Sequence, residues 1–522
     1  MDRKATFVQK IKDGYQCREE SFLIGAAMLD GDCIAEAPVK VPLSTMNRHG
    51  LIAGATGTGK TKTLQLIAEE LSLKSVPVLL MDIKGDLSGV ARPGSTSTAI
   101  EERHRKIGVT YSPAALPVEF LTISNEKGVR LRATTHEFGP ILLSKILSLN
   151  DTQGGVLSVI FKYCDEKKMP LLDIKDLRKV LQYVTGEGKK DVEDAYGKIS
   201  AATTGTILRK IVELESQGAD LFFGEPSFEV EDLLSLDENG KGVISVIRLA
   251  DIQDRPKLFS TFMLSLLGEI YSTFPEEGDL SQPKLVIFID EAHLIFAEAT
   301  EALLDQIETI IKLVRSKGVG IVFCTQNPTD IPQNVLSQLG MKVQHALRAF
   351  TAQDRKAIRL AAENYPDTEF YKVDELITSL GIGEAMVTVL NEKGAPTPLA
   401  ATLLRTPASR MGPLTDRELS DTVRRSKLAA KYNQTIDRES AYEILIKKIE
   451  AMQKATEQEK LQTDKKQTEK KQSDEKKETG ILDNPFVKEL SKTVGGTLGR
   501  EVTRELTRGI LGMFGLGSRR RR

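Results

Sequence analysis

A chain of 522 residues, 40% hydrophobic and 28% charged, has the make-up of a water-soluble folded protein and length for about three domains. Its 72 Lys and Arg against 73 Asp and Glu leave a formal net charge of −1, which excludes a global pull toward nucleic acid; any such surface must be local. Aromatic content of 5% without Trp argues against a lectin-like or base-stacking surface, and four scattered cysteines without a CxxC pair argue against a zinc site or a disulfide framework. No apolar signal core follows Met1-Asp2-Arg3-Lys4, and no apolar run is long enough to span a bilayer, so the expected location is cytoplasmic.

Residues 22–29 and 33–41, on either side of Asp30-Gly31-Asp32, read as strands around a turn and predict a small β element over 1–45. Next come a short strand at 50–53, a glycine-rich loop, an amphipathic helix at 60–73 and an apolar strand at 76–81 that ends in Asp82. Strand, helix and strand at this spacing predict an α/β domain with a parallel sheet covered by helices. Helical periodicity at 141–149, 156–167, 174–184 and 207–217 predicts a helical insertion over about 135–225. Strand signals resume at 242–247, 285–289, 320–325 and 385–390, with helices at 257–271 and 303–316 between them, so the α/β domain spans 46–405. A helical segment over 406–451 follows.

Residues 452–479 are nearly all Lys, Glu, Gln, Asp and Thr, a composition that cannot bury a core and reads as a solvated helix or a disordered linker. Over 480–522, apolar residues recur every fourth position from Phe486 to Phe514, interleaved with basic residues and glycines, and Arg519 to Arg522 follow. The glycines weaken a helix there by about 1 kcal/mol each. This tail is expected to need an anionic membrane surface, a protein partner or its own copies to fold.

Gly54-Ala55-Thr56-Gly57-Thr58-Gly59-Lys60-Thr61 fits the P-loop pattern. Its glycines let the backbone curl so that several N–H groups face phosphates, and the helix that follows adds its positive end. Lys60 would reach the β and γ oxygens and the Thr61 hydroxyl would ligate Mg²⁺, so these eight residues, with Thr63 in the next turn, are predicted to bind ATP with Mg²⁺. Far along the chain, Leu285-Val-Ile-Phe-Ile-Asp290-Glu291 is an apolar strand that delivers two carboxylates to a sheet edge. Asp290 is predicted to hold the Mg²⁺ shell and Glu291 to orient or deprotonate the attacking water.

A third strand, 320–325, runs into Gln326, which would sense the γ-phosphate or position water if that strand lies beside Asp290; a plain strand cap is the alternative. For Asp82, structural and catalytic roles stay equally open. Arg348, in a strand-like segment over 344–350, and Arg315 and Arg355 are candidates for an arginine that stabilises transition-state charge in a neighbour. His293 completes Asp-Glu-Ala-His, a string shared with DEAH helicases and equally consistent with packing beside a strand end.

The segment from His49 through the P-loop to Thr61, the Asp290-Glu291-Ala-His293 strand end, and 318–326 followed by Asn327-Pro328 together resemble the HerA–FtsK superfamily of ATPases. Asp82-Ile-Lys-Gly-Asp-Leu-Ser-Gly89, Leu149-Asn-Asp-Thr-Gln153, Phe222-Phe-Gly-Glu-Pro226 and His345-Ala-Leu-Arg-Ala-Phe350 resemble its bacterial YjgR-like, HerA-like group. The resemblance implies a RecA-like core with an additional strand and a catalytic glutamate. It also implies a homo-oligomeric ring, usually a hexamer, in which Arg348 reaches a neighbour's nucleotide and Gln326 is the sensor. Relatives of this kind move double-stranded DNA, which makes a DNA translocase or helicase the leading expectation. The alternative is a nucleotide-dependent assembly or membrane-associated scaffold ATPase that uses the tail. A DEAH-type helicase fits poorly, because too little patterned α/β sequence follows residue 405 for a second such domain.

Overall fold

Twelve strands make one sheet in the order β2-β1-β12-β11-β10-β3-β9-β8-β4-β7-β5-β6. They are β1 (Ser21–Leu29), β2 (Asp32–Pro42), β3 (Gly50–Ala53), β4 (Val78–Asp82), β5 (Val118–Thr122), β6 (Val129–Arg130), β7 (Ile244–Arg248), β8 (Leu285–Ile289), β9 (Val319–Thr325), β10 (Met341–Gln344), β11 (Glu384–Thr388) and β12 (Ala400–Leu404). The computed structural model describes residues 2–481 other than 279, 297–300, 350, 435 and 437. From β10 to β6 every neighbouring pair is parallel, and from β10 to β2 every pair is antiparallel.

The composition of the central strands accounts for their place. β8 is Leu-Val-Ile-Phe-Ile and β9 is Val-Gly-Ile-Val-Phe-Cys-Thr, and every residue of both is buried. Unbroken apolar runs of this kind suit parallel strands covered on both faces. Pairing of Ile289 with Phe323 and of Ala53 with Thr325 sets the register. It brings the ends of β3, β8 and β9 to one carboxyl edge, where ligands bind in open α/β sheets. β9 lies between β3 and β8, which is the additional strand implied by the resemblance.

The hairpin of β1 and β2 continues this sheet, because β1 pairs with β12 through Gly25 and Leu404. Helix Arg3–Gly14 precedes it, capped by Asp2, and buries Phe7 and Ile11; Phe7 stands edge-on to Phe370 with centroids 5.1 Å apart. Sequence periodicity missed this helix because Phe7, Val8 and Ile11 are its large apolar residues, too few to mark a helical stripe. Strands β5, β6 and β12 were also not expected. The strand expected over 344–350 ends at Gln344: His345 N–H still bonds Ala53 O at 2.7 Å, but Leu347 N–H bonds Ile377 O at 3.1 Å and leads the chain out of the sheet.

Between β6 and β7 stand helices Thr135–Ile146, Asp151–Glu166, Ile174–Thr185, Lys189–Tyr196, Ala201–Ser216 and Ala219–Phe222. Thr134, Asn150 and Asp173 close capping boxes at the first three. Ile160, Leu177, Val180, Ile207 and Ile211 supply the apolar faces they bury.

Helix Lys60–Leu73, expected to show a solvent face, is covered nearly all round, and Gln65 and Glu69 are each 1% exposed. The cause is a strap formed by residues 406–412. Glu69 accepts the Ala408 and Ser409 N–H groups at 2.7 and 3.0 Å. Gln65 Nε2 donates to Ser409 Oγ at 2.6 Å and Arg410 O at 3.0 Å, and Lys62 Nζ donates to Met411 O. The polar residues that mark the helix as amphipathic are the ones that hold the strap.

Residues Met1–Leu445 form one compact unit; the second begins at Ile446, and its described part belongs to helix Ala441–Ile481. The tail from residue 482 onward, to which partner binding was ascribed, lies outside the described residues. Among the described residues no helix is long and apolar enough to cross a membrane.

Candidate active site

The loop after β3 is shaped by backbone that only glycine adopts easily. Gly54 has φ 152° and Gly59 φ 114°, and a Cβ on Gly54 would lie 2.5 Å from His345 Cβ. Ala55 N–H donates to Ala346 O at 2.8 Å, Thr58 Oγ1 to Ala55 O at 2.7 Å, and Gly383 N–H to Thr58 O at 3.0 Å. Thr56 and Gly57 form the exposed tip, and Thr61 is half-buried at the start of the helix. Lys60 is buried and folds back so that Nζ donates to Ala55 O at 3.2 Å; burial pushes its ammonium pKa down. Thr63 Oγ1 meets His345 Nε2 at 2.9 Å and so sits behind the loop.

Asp290 and Glu291 follow β8 at the same edge, both buried. Neither Asp290 oxygen has a hydrogen-bond partner of good geometry. Burial raises its pKa, while the nearby Lys84 ammonium opposes that rise. Glu291 stands at φ 47°, in the left-handed region that non-glycine residues seldom occupy. Its Oε1 is ion-paired with Lys84 Nζ, and its Oε2 lies 3.2 Å from His293 Nδ1. Behind them, burial pushes the Cys324 thiol well above its ordinary pKa, so it stays neutral.

Asp82 is wholly buried at the end of β4. It accepts N–H bonds from Gly85 at 2.8 Å, Asp86 at 3.2 Å and Leu87 at 3.2 Å, and thereby pins the turn that carries Lys84. Burial, with Asp86 adding, pushes its pKa up to about 7 against the Leu87 and Gly85 bonds. Gln326, exposed just past β9, shares a cleft of about 710 Å³ with His293, Asn327 and Thr329. Asp330 fixes the cleft's floor by accepting from Thr325 Oγ1 at 2.7 Å and Asn327 N–H at 3.1 Å. Arg348 is exposed and donates to Thr378 O at 2.8 Å; Arg315 and Arg355 are exposed too.

The donor set suits a magnesium ion carried by a nucleotide. Such an ion takes one or two protein ligands and completes its shell with phosphate oxygens and water. A buried carboxylate at Asp290 and a half-buried hydroxyl at Thr61 meet that need. Among the described residues there is no cluster of three or more His, Cys, Asp or Glu that would form an all-protein metal cage. Two residues of this site had no expected role, Lys84 and His345. Each lies inside a family-like string, at the turn after Asp82 and at the start of 345–350, but neither type nor spacing pointed to a partner.

An additional strand between a phosphate-binding loop and an acidic strand end is the hallmark of one division of nucleotide hydrolases, and this chain is a P-loop ATPase. It belongs to the helicase HerA-like C-terminal family, whose profile matches residues 28–521. It is 22% identical over 350 residues to the DNA double-strand break repair helicase HerA of Sulfolobus acidocaldarius, a match covering 67% of this chain and 64% of that protein. Against the HerA of Sulfurisphaera tokodaii it is 24% identical over 360 residues, covering 68% and 64%. The chain thus spans about 64% of the length of these relatives. Among solved structures it is similar to the plasmid coupling protein TrwB in complex with ADP and Mg²⁺, with 16% identity, a TM-score of 0.47, and coverage of 76% of this chain and 99% of that one.

Proposed function

We propose that this ATPase is a ring-forming motor, hexameric as the resemblance implies, that translocates or unwinds double-stranded DNA. The observation that carries the reading is the Asp290–Glu291 pair, buried beside the P-loop across β9. The names of the HerA relatives supply DNA as the object of the work.

In this reading backbone N–H groups from Gly57 to Thr61 cradle the phosphates, and Lys60 Nζ exchanges Ala55 O for the β and γ oxygens. Thr61 and Asp290 would hold Mg²⁺, which when bound would offset phosphate negative charge. Glu291 orients the attacking water and accepts its proton. Gln326 contacts the γ-phosphate from the end of β9, and Arg348 reaches the nucleotide of the neighbouring subunit.

ATP turnover with and without double-stranded DNA at low salt, on wild type and Lys60→Ala, tests both halves. Acceleration by DNA with an idle Lys60→Ala is expected, since low salt favours phosphate contacts. Turnover indifferent to DNA overturns the motor, and normal hydrolysis by Lys60→Ala overturns the site.

A further inference from the structure

The turn that carries Lys84 lies on the far side of Glu291 from the nucleotide loop. In the sheet, β3, which leads into the P-loop, is followed by β9, then β8, then β4. Glu291 follows β8 by two residues, as Lys84 follows β4. The ion pair between Lys84 Nζ and Glu291 Oε1 therefore occupies an oxygen of that carboxylate from the β4 side of the site. The Glu291 side chain is 7% exposed, so little water competes with the lysine for that oxygen. The turn is not free to drift, because Asp82 binds three of its backbone N–H groups.

A water-activating carboxylate must offer an oxygen to the water it orients. An oxygen paired with an ammonium group in a nearly dry pocket is not vacant. We propose that Lys84 is a positioning residue that withholds Glu291 from the nucleotide at rest, and that stimulation of the motor by its polymer substrate works by opening this pair. The proposal rests on the reading of Glu291 as the group that activates water. Resting turnover is then set by the fraction of molecules in which the pair is open.

The test is steady-state ATP turnover of Lys84→Met and Lys84→Gln without DNA and with saturating double-stranded DNA. Both variants keep the stem and lose the charge, at a side chain 36% exposed. The DNA-free kcat is expected to rise ~3–10-fold, as removal of one ion pair allows, while KM for ATP stays within about twofold and stimulation by DNA shrinks to match. A DNA-free kcat at or below the wild-type value in both variants overturns the proposal. Glu291→Gln and the Lys84→Met/Glu291→Gln double variant separate this from the reading beneath it. If Glu291→Gln alone turns over at the wild-type rate, the role of Glu291 fails; if it is idle and the Lys84 variants gain nothing, only the withholding role fails.

Discussion

Thr63 Oγ1 and His345 Nε2 meet at 2.9 Å, and this one buried contact fastens the first turn of the P-loop helix to the chain leaving β10. Thr63→Val keeps the shape and deletes the hydroxyl, which leaves an imidazole nitrogen unsatisfied in a dry place. A loss of about 1–3 kcal/mol in urea unfolding is expected, with a raised KM for ATP, and Thr63→Ser should restore both.

Acid should loosen the core through its histidines. His49 Nε2 donates to Ile311 O at 2.9 Å while Nδ1 accepts the Ile321 N–H at 3.0 Å, so the ring is neutral and a second proton would break a bond. Burial lowers the pKa of both His49 and His345 to about 4, with the Lys60 charge adding at His345. An unfolded histidine titrates near about 6.5, so between these values the unfolded chain binds the extra protons. The histidines' contribution is full above about pH 6.5 and is lost as the pH drops toward 4, while Asp82, raised to about 7, works the other way in the same window. The advantage of wild type over His49→Gln in urea midpoint, largest at pH 7.5, should therefore narrow as the pH falls toward 4.

The last glycine of the Asp82–Gly89 string is demanded by the strap. A Cβ at Gly89 would come within 2.0 Å of Gly412 O and 2.3 Å of Arg410 O, both backbone atoms. Gly89→Ala should cost about 3 kcal/mol. Gly155→Ala is the control: it sits in helix Asp151–Glu166 with nothing within 4 Å of its added Cβ, and should gain about 0.5–1 kcal/mol. Thermal melts of the two variants should move in opposite directions.

Glu291→Gln should keep nucleotide binding while turnover falls ~100-fold or more, the usual weight of a positioned general base. Equilibrium binding of a fluorescent ATP analogue beside a turnover assay reads both quantities. Parallel losses in the two would point instead to a collapsed strand end.

The alternation of strand, loop and helix around the P-loop was legible because parallel strands such as β8 are apolar along their whole length and glycines mark the phosphate loop. The acidic pair could be read from the same strand's end. Lys84 and His345 were not legible, since their contacts are made across the sheet, with Thr63 and His345 lying 282 positions apart in the chain. Helix Arg3–Gly14 carries too few large apolar residues to mark a stripe. The face of helix Lys60–Leu73 was misread for a related reason: Gln65 and Glu69 look like solvent-facing residues until residues 406–412 return to bind them.

That return has a consequence for how the protein is made. On the ribosome the P-loop and the acidic strand both emerge long before the strap. A nascent chain halted ahead of residue 406 would hold every phosphate-binding group and still expose the bare amide of Gln65 and carboxylate of Glu69. The helix that follows the P-loop thus gains its last buried partners only late in synthesis.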